Sequence, residues 1–421
     1  MEKSGKFRLT SLERNWILYD VGNSAFVLMV ATLIPIFFNA LAAAGGLSSV
    51  EYLAYWGYAS SAVTIITAVL SPILGTVADT KGFKKPIFIL CVFVGIVGCC
   101  AMGAASAWLP FLVIFVIAKV GFSGSLVFYD SMLSDVTTPE RMDEVSSRGY
   151  AWGYIGSCVP FVVCLGLVLG AGSIGISQMT ALNLALLLTA AWWLLTTLPL
   201  LKSYKQLYYV EVEKHAVRQS FARIGHTLRH LPEDKQVFWF LLAFFCYIDG
   251  VYTIIDMATA YGTALGLDTT GLLLALLVTQ IVAFPSALIF GRLSNKYPSA
   301  KLIPVCIAAY AGIAVFAFFL TQQWQFWVLA VIVGMFQGGV QALSRSHFAK
   351  IIPPEKSGEY FGLFDICGKG ASFLGTMIVS VGSQLTGSAN VGVGSLIVLF
   401  VVGFVLFRVS CKAGIITDSV N

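Results

Sequence analysis

The chain has 421 residues, of which 58% are hydrophobic and only 11% charged, with a mean hydropathy of +0.85 and a net charge of +5. Soluble globular proteins carry about 25% charged residues. This composition therefore excludes a soluble enzyme, a disordered protein and a nucleic-acid-binding protein, and it indicates a polytopic membrane protein.

Twelve apolar segments are each long enough to cross a bilayer as a helix, which takes about 20 mostly apolar residues. They lack the period-2 alternation of barrel strands. The predicted spans are residues 15–44, 50–79, 86–105, 108–136, 146–170, 178–201, 236–263, 270–294, 301–321, 324–349, 359–386 and 390–411. The first is too long for a signal-peptide core and has no suitably placed cleavage site, so we expect it to be retained. The predicted fold class is an all-α membrane protein with twelve transmembrane helices.

The basic residues lie almost entirely on one side of these spans. Of the 26 Lys and Arg, all but Lys119 and Lys369 lie at the two ends of the chain or in the even-numbered connections. Basic residues are retained on the cytoplasmic side of a membrane. We therefore expect both termini to be cytoplasmic.

A long polar stretch divides the chain into two sets of six spans. We predict an N-terminal bundle over 1–201, a cytoplasmic linker over 202–235 and a C-terminal bundle over 236–421. Apolar residues at helical spacing in the linker predict an amphipathic helix on anionic lipid; they are Phe221, Ile224, Leu228 and Leu231. His226 and His230 are four residues apart, but no third ligand completes a metal set, so we expect no metal site.

The two halves repeat one another. Gly75 and Asp79 lie at the end of span 2, and Gly291 and Asn295 lie at the end of span 8, an offset of 291 − 75 = 216 residues. Spans 5 and 11 align at nearly the same offset. An internal six-helix repeat is typical of a two-bundle transporter, so we expect two pseudo-symmetric six-helix bundles.

The segment from Gly75 to Lys85 resembles the signature G-x-x-x-D-[RK]-x-G-[RK]-[RK] of the major facilitator superfamily. The resemblance implies a latch that closes the cytoplasmic side, formed by Gly75, Asp79, Lys84 and Lys85. Asp79 can face the positive N-terminal end of a neighbouring helix. The second copy has Asn295 in place of the acid, so we expect a weaker latch there.

Few polar or charged residues lie inside the predicted spans, where a charge costs about 2.5–3.5 kcal/mol and by default indicates a functional site. We predict that substrate binding or coupling uses residues from the set Asp20, Asn23, Lys119, Asp249, Asp256, Gln337, Gln341, Asp365 and Lys369. Asp130, which lies close to the end of its span, and Arg345 are predicted gate residues. For Arg345 the alternative is substrate binding.

Several partnerships stay open at this point. Asp365 and Lys369 are four residues apart and can pair, which makes them either a structural pair or part of the site. Lys119 has no acid within one helical turn, so its partner must come from another helix, with Asp20 and Asp249 as candidates. Desolvated acids such as Asp249 and Asp256 could carry a proton near neutral pH. The alternative is that the membrane acids are all structural partners of the basic residues.

Three segments resemble the vacuolar amino-acid effluxer-like branch of the major facilitator superfamily: Leu18 to Phe26, Phe240 to Gly250 and Gly334 to Ser346, the last continuing from Pro353 to Leu363. The resemblance covers nearly the whole chain. It implies a secondary carrier of twelve helices, related to fungal members that export neutral amino acids from the vacuole.

We therefore expect a monomeric secondary transporter of a small solute, for which a neutral amino acid or related zwitterion is the candidate. It would work by alternating access with proton coupling, in a bacterial plasma membrane. No nucleotide-binding loop G-x-x-x-x-G-K-[ST] occurs, and we expect no cofactor, no nucleic-acid partner and no enzymatic activity. The expected partners are the solute, protons and lipid. The alternative is a non-transporting sensor or scaffold built on a carrier fold.

Overall fold

The structure, a computed structural model, describes residues 7–211, 225–227 and 229–418. The first half contains α1 (Ser11–Ala31), α2 (Leu33–Ala44), α3 (Ser49–Ala78), α4 (Lys84–Ala104), α5 (Trp108–Ser131), α6 (Leu133–Val136), α7 (Met142–Leu169) and α8 (Gln178–Ser203). The second contains α9 (Lys235–Ala264), α10 (Thr269–Leu293), α11 (Ser299–Phe318), α12 (Gln323–Ile351), α13 (Ser357–Thr386), α14 (Ala389–Gly394) and α15 (Ile397–Asp418).

The described part of the chain holds eleven helical segments that are long and apolar enough to cross a membrane, with α1–α2 and α14–α15 each forming one segment. The 30-residue α13 packs between α3 and α9 alongside them and completes the twelve predicted spans. The predicted fold class is confirmed.

Two predicted spans are interrupted. Thr32 leaves the helical region, with φ −131° and ψ −75°, and separates α1 from α2. Pro35 supplies no N–H for the carbonyl of Ala31, which accounts for the break just before it. The last span is divided at Ser395, after the glycine-containing α14. Apolar composition continues across both breaks, so hydropathy alone did not show them.

The two halves have matching packing. In the first half α1 packs against α7 and α8, and α5 packs against α3 and α4. In the second half α9 packs in the same way against α13 and α15, and α12 against α10 and α11. The halves meet mainly where α3 lies against α13 and where α7 lies against α10 and α12.

One end of the molecule collects the connections that carry the basic residues: 79–83, 132–141, 204–211, 294–298 and 352–356. We call it the basic end. The amphipathic helix expected in the linker falls largely on residues 212–224 and 228, outside the described residues. His226 and His230 are described, with their rings stacked 3.9 Å apart.

Candidate functional site

Arg345 of α12 binds the first half of the molecule at the basic end. Its side chain is 2% exposed, and its Nη1 lies 3.0 Å from Asp130 Oδ1 and 3.6 Å from Asp20 Oδ2. Its Nε donates to Ser146 Oγ (2.9 Å) and its Nη2 to the Ser146 carbonyl (3.0 Å). One guanidinium thus joins α12 to α1, α5 and α7. The planar fork of arginine suits such a set of acceptors better than the single ammonium of lysine.

Aromatic rings surround this guanidinium. Its carbon lies 4.2 Å from the ring centre of Tyr150, 4.7 Å from that of Trp16 and 5.4 Å from that of Tyr129. Trp16 and Tyr129 stack on one another, and Trp16 Nε1 donates to the Tyr129 carbonyl (3.0 Å). A desolvated cation–π contact contributes about 2 kcal/mol or more. The rings therefore stabilise the buried cation and keep water from its ion pairs.

Two helical stripes meet at this contact. Ser146, Tyr150 and Tyr154 recur every four residues on α7, and Gln341 and Arg345 are four apart on the antiparallel α12. Tyr154 Oη donates to Gln341 Oε1 (2.6 Å), one turn away from the Arg345 contact. Gln341 and Arg345 were both predicted site residues; Ser146 and Tyr150 were not, although their regular spacing with Tyr154 was the available signal.

Further contacts between the halves lie closer to the basic surface. Lys350 Nζ lies 2.6 Å from Asp143 Oδ2, and the exposed Asn295 donates to Glu144 Oε2 (3.1 Å). Ser146 Oγ donates to the Ala342 carbonyl (2.8 Å). The second copy of the repeated loop thus contributes one amide hydrogen bond at the surface.

The first copy of the loop makes a buried contact, which we call the latch: Asp79, Lys84, Asp135 and the start of α13, residues 357–359. The Asp79 carboxylate accepts from the backbone N–H groups of Gly358 and Glu359, both at 2.8 Å. Lys84 Nζ donates to Ser357 Oγ (2.8 Å) and lies 3.7 Å from Asp79 and 3.5 Å from Asp135. A carboxylate at a helix N-terminus meets unpaired N–H groups and the positive end of the dipole.

The latch also depends on a close backbone approach. A Cβ atom on Gly75 would lie 2.2 Å from the Gly358 carbonyl oxygen. No side chain larger than hydrogen fits there without separating α3 from α13. Lys85, the remaining predicted latch residue, is partly exposed beside this contact.

Residues 204–211, which we call the strap, pack on the latch from the first half's side. Tyr204 Oη donates to Asp135 Oδ2 (2.6 Å), and the N–H groups of Leu207 and Tyr208 donate to Asp135 Oδ1, both at 2.9 Å. The Val210 N–H donates to the Asp79 carbonyl (2.8 Å). The start of the predicted linker, residues 204–211, is therefore packed on the first bundle.

Deeper in the molecule, charged groups of the two halves come together. Lys119 of α5 is partly exposed, with Nζ 4.8 Å from the Phe122 ring centre, and Asp256 of α9 is exposed and within its electrostatic range. Of the two expected partners of Lys119, Asp20 lies 3.6 Å from Arg345, and Asp249 accepts from the Gly375 N–H (2.9 Å).

Tyr252 of α9 lies in the region between Lys119 and Asp256 on one side and the predicted gate residues Asp130 and Arg345 on the other. It lies within electrostatic range of Asp130, Asp256, Asp365 and Arg345. Asp365 Oδ2 accepts from Ser71 Oγ of the other half (2.8 Å). The side chain of Lys369 lies outside the described residues, so its expected pairing with Asp365 stays a prediction.

Two predicted polar residues are buried with an unused hydrogen-bonding atom. Asn23 Nδ2 on α1 and Gln337 Oε1 on α12 have no partner among the described residues. Gln337 borders a largely apolar pocket inside the second bundle, which Ile254 and Met257 of α9 also line. A polar edge beside an apolar pocket is the usual form of a small-molecule site.

Comparison with known proteins identifies the family. Residues 11–415 match the family described as "Vacuole effluxer Atg22 like". The chain belongs to this family. The resemblance stated from the sequence is therefore confirmed.

Relatives and structural neighbours agree with this assignment. The "Uncharacterized MFS-type transporter YxiO" of Bacillus subtilis (strain 168) is 43% identical over 404 residues, 95% of this chain and 94% of that protein. "Autophagy-related protein 22" of Coccidioides immitis (strain RS) is 25% identical over 63% of this chain and 51% of its own length. The human organic anion transporter MFSD10 (TETRAN) has the same fold, with a TM-score of 0.71 at 14% identity over 94% of this chain and 99% of its own. This Atg22-like protein is thus a multi-pass membrane protein and an MFS-type transporter.

Proposed function

We propose that this Atg22-like protein moves a small zwitterionic solute, with neutral amino acids as the first candidates, by proton-coupled alternating access. The observation that carries the proposal is the gate at the basic end, where Arg345 and the latch join the two bundles. A transporter of this kind needs such contacts to close one side while the other is open.

We further propose that the basic end faces the cytoplasm of a bacterial cell and that the protein resides in the plasma membrane. The distribution of Lys and Arg supports this orientation. The structure described here then has its cytoplasmic side closed, and opening requires Arg345 and the latch to separate from their partners.

The substrate assignment is supported by Lys119 and Asp256. They carry opposite charges, come from opposite bundles and lie on the inner side of the gate. A zwitterion presents a carboxylate to the ammonium and an ammonium to the carboxylate, so it would contact both bundles at once. Asn23 and Gln337 offer unused hydrogen-bonding atoms on α1 and α12, and the pocket that Gln337 borders offers space for an apolar side chain.

Proton coupling is supported by the number of carboxylates on the pathway. Asp130, Asp249, Asp256 and Asp365 lie inside α5, α9 and α13, with partners from several helices. A carboxylic acid in such surroundings can exchange a proton as its partner leaves. We name Asp249 and Asp256 as the first two to test.

The test uses purified protein in liposomes loaded with a pH-sensitive dye, to which neutral amino acids are added one at a time. We expect a solute-dependent proton flux that Asp256→Asn and Lys119→Met abolish and Asp249→Asn reduces. The matched control is Glu233→Gln, an exposed acid at the basic end, which should transport like the native protein.

Thermal-shift measurements on the same panel separate the outcomes. Solute binding without proton flux would contradict proton coupling, and binding without any solute movement would favour the sensor or scaffold. Absence of both binding and flux across the amino acids would overturn the substrate assignment.

A further inference from the structure

The latch buries more negative than positive charge. Asp79, Asp135 and Glu359 are each 3% exposed or less, and Lys84, also fully buried, is the cation in ion-pair contact with the first two. If the three carboxyl groups were all ionised, two negative charges would be left without a buried counter-ion.

The three acids differ in their hydrogen bonds. Asp79 accepts from two backbone N–H groups, and Asp135 from two more and from the hydroxyl of Tyr204. Both carboxylate oxygens of Glu359 are buried and have no partner among the described residues. Glu359 stands next to Asp79, because its own N–H is one of the two that Asp79 accepts. Burying an ionised carboxylate without a partner is far more costly than burying the neutral acid.

We propose that the closed latch binds one proton, shared by Asp79 and Glu359, taken from the solution at the basic end when the latch closes and returned to it when the latch opens. The proposal rests on the alternating-access function given above, because it requires the latch to open. The proton adds to a carboxylate oxygen and leaves from it, so no other bond changes.

The surroundings of the pair favour this proton. From the first half the pair faces Lys84, Asp135 and Tyr204, and from the second half Tyr360 follows Glu359, with Asp234 within range of Tyr360. Lys84 is shared between Asp79 and Asp135 and compensates only one negative charge. Burial, to which the charge of Glu359 adds, raises the pKa of Asp79 to about 7.

The direction of the pH effect depends on whether the closed or the open latch binds the proton more tightly. In the open latch Asp79 meets water and has an ordinary pKa near 4, whereas in the closed latch burial raises its pKa to about 7. Low pH therefore favours the closed latch. One linked proton changes the ratio of closed to open molecules by up to about tenfold per pH unit within that window.

The experiment measures the closed fraction directly. Spin labels are placed at Glu140 and Glu355, which are exposed at the basic end of the two halves, after the native cysteines have been replaced. The distance distribution between the labels is recorded by pulsed electron paramagnetic resonance in lipid nanodiscs from pH 4.5 to 8.5. We expect the short-distance, closed population to fall as pH rises.

Two variants assign the effect to the pair. Glu359→Gln keeps the shape of the side chain and cannot ionise, so its closed fraction should be higher than that of the native protein and depend less on pH, whereas Glu359→Asp should keep the native dependence. Glu233→Gln is the control and should follow the native curve. A native closed fraction that is constant or rises with pH, or a Glu359→Gln variant that keeps the native slope, would overturn the proposal.

This measurement adds no solute, so its result is separate from the transport assay. A protein that transports amino acids with protons but shows no pH response of the latch contradicts the shared proton alone. A latch that responds to pH in a protein that moves no solute contradicts the proposed function alone.

Discussion

Replacement of Arg345 by glutamine is the most direct test of the gate. The substitution removes the cation from the buried carboxylate of Asp20 and the partly exposed one of Asp130, together with the guanidinium hydrogen bonds to Ser146 and the aromatic contacts. Removing one member of a buried ion pair costs about 3–5 kcal/mol, because the remaining charge is left without a partner. In the open gate these carboxylates meet water, so the cost falls mainly on the closed state. At about 1.4 kcal/mol per factor of ten, the ratio of closed to open molecules should fall by about a hundredfold or more.

The spin-label pair at the basic end measures this shift. The closed fraction of Arg345→Lys should lie between those of the native protein and Arg345→Gln, because lysine keeps the charge and lacks the planar guanidinium. Arg292→Gln, at an exposed arginine of the same end, is the control and should behave like the native protein. The double variant that adds Asp130→Asn to Arg345→Gln should regain part of the lost closed fraction, because it also removes one of the two carboxylate charges that Arg345→Gln leaves without a partner. If Arg345→Gln stays as closed as the native protein, Arg345 does not hold the gate and the reasoning is refuted.

Three further predictions concern the latch and the strap. Gly75→Ala places a Cβ atom 2.2 Å from the Gly358 carbonyl oxygen; overpacking of this kind costs about 1–3 kcal/mol, so the same label pair should report a lower closed fraction, and an unchanged one would refute the close approach. Tyr204→Phe removes a hydrogen bond to Asp135 worth about 1.5–3 kcal/mol, so trypsin should cleave the strap faster after the neighbouring Lys205. A cleavage rate equal to that of the native protein would mean that other contacts hold the strap. Burial raises the pKa of Asp79 to about 7, so the contribution of Asp79 to stability is present at low pH and lost as pH rises from about 4 to about 7. The unfolding temperature of Asp79→Asn, measured relative to that of the native protein, should therefore rise across that range. A constant difference between the two unfolding temperatures would contradict the burial of the acid.

The twelve spans could be predicted because each must satisfy its backbone within about 20 apolar residues, and that requirement is local in sequence. The break at Thr32 was missed because both sides of it are equally apolar. Only Pro35, three residues later, carried a signal of the interruption.

The candidate site was predicted in part. Charges inside apolar segments are visible without any knowledge of packing, so Asp20, Asp130 and Arg345 were singled out from the sequence. Their partners were not, because Ser146 and Arg345 are 199 residues apart in the chain and nothing local links them. Glu359 was missed for another reason: it lies at the first turn of its helix, where an acid is ordinary, and only the structure shows that it is buried there.

The contact between Gly75 and Gly358 has a consequence for how the gate moves. Backbone meets backbone at this point, and the neighbouring Asp79 carboxylate bonds two successive N–H groups. These two hydrogen bonds join backbone N–H groups to a short side chain, which cannot stretch far while the helices begin to part, so a small separation breaks both hydrogen bonds together. Opening at this end should therefore behave as a switch with two discrete positions, and partly open forms should be short-lived.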